Sequence, residues 1–246
     1  MIPADELKSL DLRLNALKSK YVRFRNGSFL KNAFINIHGT KVDESKSVNY
    51  LGISIMYNLC EKEDIKRANS AFLRQFYSFF SKFSGCSLNL KFKLFGIYCT
   101  SFYGSSLWTN RKGAIAEFKS STVTYHKAIK KILGVPYWFS NHDVCNHTQR
   151  FTFENLVNLN IFNFLHQINN SISPCLTQIR NYLLYESKFA CEANQIAREN
   201  YSFDNVLNND MHAISSCILR TQSLYISNIP YERMLGNSHI FSNNSR

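Results

Sequence analysis

V-N-Y-L-G-I-S-I, residues 48–55, is where the chain changes character. Val48, Tyr50, Ile53 and Ile55 are β-branched or aromatic, and Gly52 interrupts them. That pattern reads as a short strand with a turn or bulge at the glycine. Before it, the segments are short and mixed. After it, apolar residues recur every three or four positions, as on the inner side of a helix. The expected fold class is α+β: short antiparallel strands first, then a mainly helical remainder.

Upstream, Leu7, Leu10, Leu14 and Leu17 predict a helix over residues 4–17, begun after Pro3. Lys20–Phe24 and Ala33–Ile37 read as strands. Residues 25–28 read as a turn, His38-Gly39-Thr40 as a tight turn, and Asp43–Ser47 as a polar loop.

Downstream, Ile65, Asn69, Phe72, Phe76, Phe79 and Phe83 share one face of a helix that starts near Glu63 and ends before Gly85. A second helix is expected from Leu88 to about Leu107, buried on most sides. The spacing predicts a third over residues 113–133. Its Ile115, Phe118, Thr122, Tyr125, Ile129 and Ile132 face inward, and Lys119 and Lys130 lie opposite, with Lys112 extending their row. His126 reads as a polar-face residue. Gly134 and Pro136 stop this helix. An irregular stretch is expected to about Arg150. Helical patterns return at Phe153–Asn170, Pro174–Glu186, Lys188–Glu199 and near Asn209–Leu224, before an Asn/Ser-rich tail.

The chain is 45% hydrophobic and 19% charged, the balance of a protein with a packed core. Its net charge of +12 is unevenly spread. Residues 62–133 hold 13 Lys/Arg against 3 Asp/Glu, whereas residues 134–246 are close to neutral. A basic middle third favours a polyanionic partner, nucleic acid before membrane. No apolar run approaches the length of a membrane span. Seven widely spaced cysteines with no C-x-x-C argue against a disulfide framework and for a reducing, intracellular setting, cytoplasmic or nuclear. Cys86 and Cys99 read as small core residues. His142, Cys145 and His147 offer three metal ligands without a fourth, at a spacing that matches no zinc site. No phosphate-binding glycine loop or dinucleotide fingerprint occurs.

Four stretches then occur in order: L-D-L-R-L-N-A-L-K-S-K-Y-V-R-F at 10–24, V-N-Y-L-G-I-S-I at 48–55, L-F-G-I-Y-C-T-S-F-Y-G-S-S-L-W at 94–108 and A-I-K-K-I-L-G-V-P at 128–136. Together they resemble the C-terminal part of the reverse transcriptase of non-LTR (LINE-type) retrotransposons, over roughly residues 7–170. The resemblance implies an organisation: 1–61 as the end of a palm with its primer-grip hairpin, 62–135 as a basic helical thumb, and 136–246 as a helical C-terminal extension. Asn15, Lys18 and Ser19 match the family's N-x-x-K-[ST] pattern, whose lysine lies near the phosphates of the incoming nucleotide. Tyr50, Leu51 and Gly52 match the primer grip, where a glycine lets backbone approach a sugar-phosphate. Lys66, Arg67, Arg74, Lys82, Lys91, Lys93, Lys112, Lys119, Lys127, Lys130 and Lys131 become candidate phosphate contacts on an RNA or RNA–DNA duplex, about half of them expected to touch it.

The resemblance also exposes a gap. The family's aromatic-x-Asp-Asp motif, which binds two Mg²⁺ ions in the intact enzyme, has no counterpart, because the sequence contains no adjacent Asp pair. Asp5, Glu6 and Asp11 are spaced as a solvated helix face. The chain is therefore expected to be inactive alone, to need no cofactor of its own, and to lack the fingers and most of the palm that would be its natural partners. Two other readings stay open: a non-enzymatic helical protein-interaction module, or the non-functional product of a truncated element.

Overall fold

The structure, a computed structural model, describes residues 15, 18–24, 29, 34–37, 39–109, 111–201 and 210–224. The expected helix over residues 4–17, apart from Asn15, the turn at residues 25–28 and the tail from Gly236 lie outside the described residues. The fold class is α+β, as expected: two short antiparallel hairpins precede a helical body.

The first hairpin pairs β1 (Phe34–Ile37) with β2 (Thr40–Asp43), and Gly39 takes a φ of +79° in the turn. Strand β2 was not legible in the sequence; T-K-V-D alternates weakly and only Val42 of it is buried. The strand expected at Lys20–Phe24 reduces to one bridge, Tyr21 with Glu44. The second hairpin pairs β3 (Ser47–Tyr50) with β4 (Ile53–Met56) in the register Val48↔Ile55 and Tyr50↔Ile53. Leu51 and Gly52 form its tip with φ of 47° and 80°. Positive φ at both positions is the signature of the two-residue turn that matches strand twist.

Helix α1 (Lys62–Lys82) buries Ile65, Ala68, Phe72, Phe76 and Phe79 at helical spacing. Glu63 and Asp64 at its start and Lys82 at its end suit the helix dipole. Helix α2 (Leu88–Tyr98) is shorter than expected. It ends at Tyr98, and beyond it Phe102 and Gly104 take φ of 35° and 90° and reverse the chain, which carries Phe102 and Trp108 into the core. It is also less buried than expected: Phe92 and Phe95 face inward, while Leu88, Leu90, Ile97 and Tyr98 are exposed.

A tight turn at Arg111–Ala114 leads into α3 (Ile115–Leu133). Ile115 points outward because Ala114, fully buried, takes the inner position at the helix entrance. Gly134 caps α3 with a φ of 71°, as its position predicts. The segment expected to be irregular contains α4 (Asn141–His147), capped by Ser140, whose Oγ accepts from the Asp143 amide at 3.3 Å. The remaining helices are α5 (Phe153–Asn169), α6 (Pro174–Asn181) with a wide turn at Tyr182–Glu186, α7 (Lys188–Tyr201) and α8 (Met211–Leu224).

One hydrophobic cluster runs from Ile65 to Ile218, without a break at position 135. Its centre is aromatic: Phe72, Phe95, Phe102, Tyr125 and Phe153 meet at ring separations of 5.0–6.2 Å. Beside it, a chain of polar bonds ties α5 to α7 and α8. Asn158 Nδ2 donates to the Tyr201 hydroxyl, which donates to Asn155 Oδ1; Asn155 Nδ2 donates to Gln222 Oε1. Cys99 is buried, with its thiol pushed up to about 12 by burial, whereas Cys86 is half-buried. Among the described residues, no helix is long and apolar enough to cross a membrane.

Candidate nucleic-acid interface

The β3–β4 hairpin is fixed to the helical body by one carboxylate. Asp64 Oδ1 accepts from the Ser54 amide at 3.0 Å and from Arg67 Nε at 2.7 Å; its Oδ2 accepts from the Trp108 indole at 2.9 Å. Arg67 then donates to the Tyr103 carbonyl at 2.9 Å. A side chain on Gly104 would begin 3.0 Å from Asp64 Oδ2, so glycine is needed for this close approach as well as for its positive φ. The hairpin, α1 and the 102–108 turn are thus held as one unit. Sequence reading missed Asp64 because an acid in the first turn of a helix is ordinary; the faint signal was Arg67 three residues on.

The hairpin tip is presented to solvent. Tyr50 is 63% exposed and Leu51 72%. The ring of Tyr103, also exposed, lies against Gly52, 3.5 Å from where a Cβ would stand. Two tyrosines and the exposed tip therefore share one edge, with Tyr103 packed on the side of Gly52 that lacks a side chain. Tyr103 was not singled out in the sequence.

The basic face is built on α1 and α3, which run side by side in the same direction. At one end Lys62 and Lys66 reach Glu117 at 3.4 and 4.0 Å. At the other, Lys131 Nζ sits over the rings of Tyr77 and Phe80 at 5.0 and 4.9 Å. The carboxyl of Glu117 is held below its usual range by its own backbone amide and by Lys62 and Lys66. Outward on α1 stand Ser70, Arg74 and Lys82; outward on α3 stand Lys119, Ser120, Lys127 and Lys131. Among the described residues, no carboxylate forms an ion pair with Arg74, Lys82, Lys119, Lys127 or Lys131. Arg67 and Arg74 are seven residues apart and lie on one line of α1, which connects the hairpin edge to the basic face.

Other expected contacts stand differently. Lys66 pairs with Glu63 at 3.1 Å, and Arg67 is engaged by Asp64. Lys130 departs from its expected row with Lys119: it is buried, and its Nζ donates to the Tyr137 carbonyl at 2.9 Å. Burial lowers its pKa. His126, expected on a polar face, is 4% exposed, with Nδ1 2.8 Å from the Thr122 carbonyl and Nε2 unpartnered. Burial lowers its pKa to about 4. Both corrections have one cause: α4 and the segment leading to it cover that side of α3 near its C-terminal end. Lys93 is exposed and Lys91 half-buried on α2. The side chain of Lys112 lies outside the described residues. Lys18 is exposed, and its amide donates to Asn15 Oδ1 at 3.2 Å while Ser19 Oγ donates to the Asn15 carbonyl at 2.9 Å. Asn15, Lys18 and Ser19 are thus bonded to one another.

No group of three or more His, Cys, Asp or Glu side chains among the described residues is arranged to hold a metal. His142 and His147 are exposed on α4 while Cys145 is buried, its thiol pushed up to about 12, so the three do not converge. Asp5, Glu6 and Asp11 lie outside the described residues. Comparison of the chain with protein-family models, with curated proteins and with solved structures gives no match.

Proposed function

We propose that this chain is the primer-grip and thumb portion of a non-LTR retrotransposon reverse transcriptase, and that it holds an RNA–DNA duplex by its backbone. The observation that carries this reading is the set of exposed cations Arg74, Lys82, Lys119, Lys127 and Lys131 on the adjoining helices α1 and α3, none paired with a carboxylate among the described residues, linked through Arg67 to a solvent-facing hairpin tip. Ammonium and guanidinium groups on helix surfaces meet phosphates irrespective of base sequence. A glycine-bearing tip flanked by Tyr50 and Tyr103 suits close approach to a strand end. The reaction itself belongs to the intact polymerase, whose Mg²⁺ ions need an aspartate pair that this sequence does not contain. The role of this chain is binding and positioning.

The test is the salt dependence of affinity for a blunt RNA–DNA hybrid. Each phosphate contact contributes about 0.9 to the slope of log K against log salt. The triple variant Lys119→Gln, Lys127→Gln, Lys131→Gln is expected to flatten the slope by about 2 to 3 and to weaken all hybrid sequences alike. An unchanged slope would remove the basic face from the reading.

A specific feature favours a second reading, a helical protein-interaction module. Leu90, Ile97 and Tyr98 of α2 make an exposed apolar stripe at helical spacing. Docking through that stripe would survive the same lysine substitutions.

A further inference from the structure

We propose that Tyr137 and Trp138 form a stacking ledge for the unpaired bases of a single RNA strand that continues beyond the bound duplex. The proposal rests on the nucleic-acid reading above and extends it to a second subsite. Tyr137 is 82% exposed and Trp138 62%, in a chain whose other tryptophan, Trp108, is 1% exposed. Two adjacent exposed aromatics, one of them an indole, mark a contact surface more often than scattered apolar residues do.

The ledge is rigid. Gly134 ends α3, and the Val135 amide returns to the Lys130 carbonyl at 3.1 Å. Lys130 Nζ reaches over to the Tyr137 carbonyl at 2.9 Å. The Phe139 amide closes a turn onto the Pro136 carbonyl at 3.2 Å, and Phe139 packs on the core, with its ring 6.3 Å from that of Trp138. The backbone is therefore anchored on both sides of the two rings, so the main chain has little left to order on binding. The buried Lys130, expected to contact phosphate, is instead the clamp of this turn.

Charge complementarity identifies the occupant. Exposed Lys127 and Lys131 stand on the last turns of α3, shortly before the ledge in the chain, with Lys131 turned toward Tyr77 and Phe80 of α1. Between Glu117 and Glu154 the sequence has one carboxylate, Asp143. Exposed aromatic rings in a cation-rich, carboxylate-poor stretch suit a polyanion whose bases are free to stack; the bases of a duplex are already stacked on each other. On the reading above, the strand that continues unpaired past an RNA–DNA duplex is RNA.

The test uses the full chain with three probes: a blunt RNA–DNA hybrid, the same hybrid with an unpaired RNA extension of about eight nucleotides, and one with an equal DNA extension. A site of this kind spans several nucleotides and gains roughly tenfold or more per stacked base. The RNA extension is expected to tighten binding at least tenfold and to quench Trp138 emission while buried Trp108 stays bright. The double variant Tyr137→Ala, Trp138→Ala should abolish that gain and leave blunt-hybrid affinity unchanged. The ledge is overturned if the extension adds nothing while the blunt hybrid binds, or if the double variant keeps the gain. A larger gain from the DNA extension overturns the assignment to RNA. If no probe binds, the nucleic-acid reading itself fails, and the ledge with it.

Discussion

Asp64 Oδ2 accepts the indole N–H of Trp108 at 2.9 Å, joining residues 44 apart in the chain. The same carboxylate holds the hairpin through the Ser54 amide and orients Arg67. It is 4% exposed, so its bonds are made away from water. Asp64→Ala would strand a buried indole N–H and a backbone amide and free a half-buried guanidinium. Leaving buried partners unpaired costs about 3–5 kcal/mol. Urea unfolding should show that loss, with Asp64→Asn milder because one acceptor oxygen survives. A loss below about 1 kcal/mol for the alanine variant would mean that the hairpin is held by apolar packing instead.

Leu51 occupies the left-handed region and is exposed, two unfavourable conditions for a leucine. An L-residue other than Gly, Asn or Asp costs roughly 1–2 kcal/mol there. Leu51→Asn creates the preferred Asn-Gly tip and should raise stability by about 1 kcal/mol. If the tip grips a strand end, the same variant should bind the hybrid several-fold more weakly. A variant that gains stability and binds as well as the parent would remove Leu51 from the interface.

His126 makes the fold acid-sensitive. Its pKa is lowered from 6.5 to about 4 by burial first and by Lys130 and His142 further. Above pH 6.5 the ring is neutral in both folded and unfolded chains, and titration adds nothing. As pH falls from 6.5 to 4 the unfolded chain takes up the proton and the folded chain does not, so stability drops. A shift of that size corresponds to about 3 kcal/mol, fully lost below pH 4. Unfolding measured at pH 7 and pH 4.5 should show most of this difference, and His126→Leu should flatten it. Equal pH slopes in the two proteins would assign the acid sensitivity to other groups.

What was legible in the sequence was local. Phe72, Phe76 and Phe79 announce the buried side of α1 by spacing alone, and Gly134 marks the end of α3 because a left-handed cap favours glycine. Gly52 likewise marks the hairpin tip, since the turn needs positive φ. Strand β2 and α4 were missed because each is short and owes its stability to neighbours and a cap, not to periodicity. The end of α2 was missed because the reversal depends on Phe102 adopting a backbone conformation that its own chemistry disfavours.

The candidate interface divides along the same line. Sequence alone determined that positive charge concentrates in residues 62–133 and that α3 carries lysines opposite its core face. Tertiary structure decided which of those lysines meets water. Lys119, His126 and Lys130 lie on one side of α3, yet Lys119 is exposed while His126 and Lys130 are buried. Helical periodicity fixes the direction of a side chain about the axis, but not whether another segment covers it. That depends on where residues 135–147 fold back, a long-range packing outcome. The same dependence turns Asp64 from a surface acid into the tie between hairpin and helices, because Trp108 reaches it only after the chain reverses at Phe102 and Gly104.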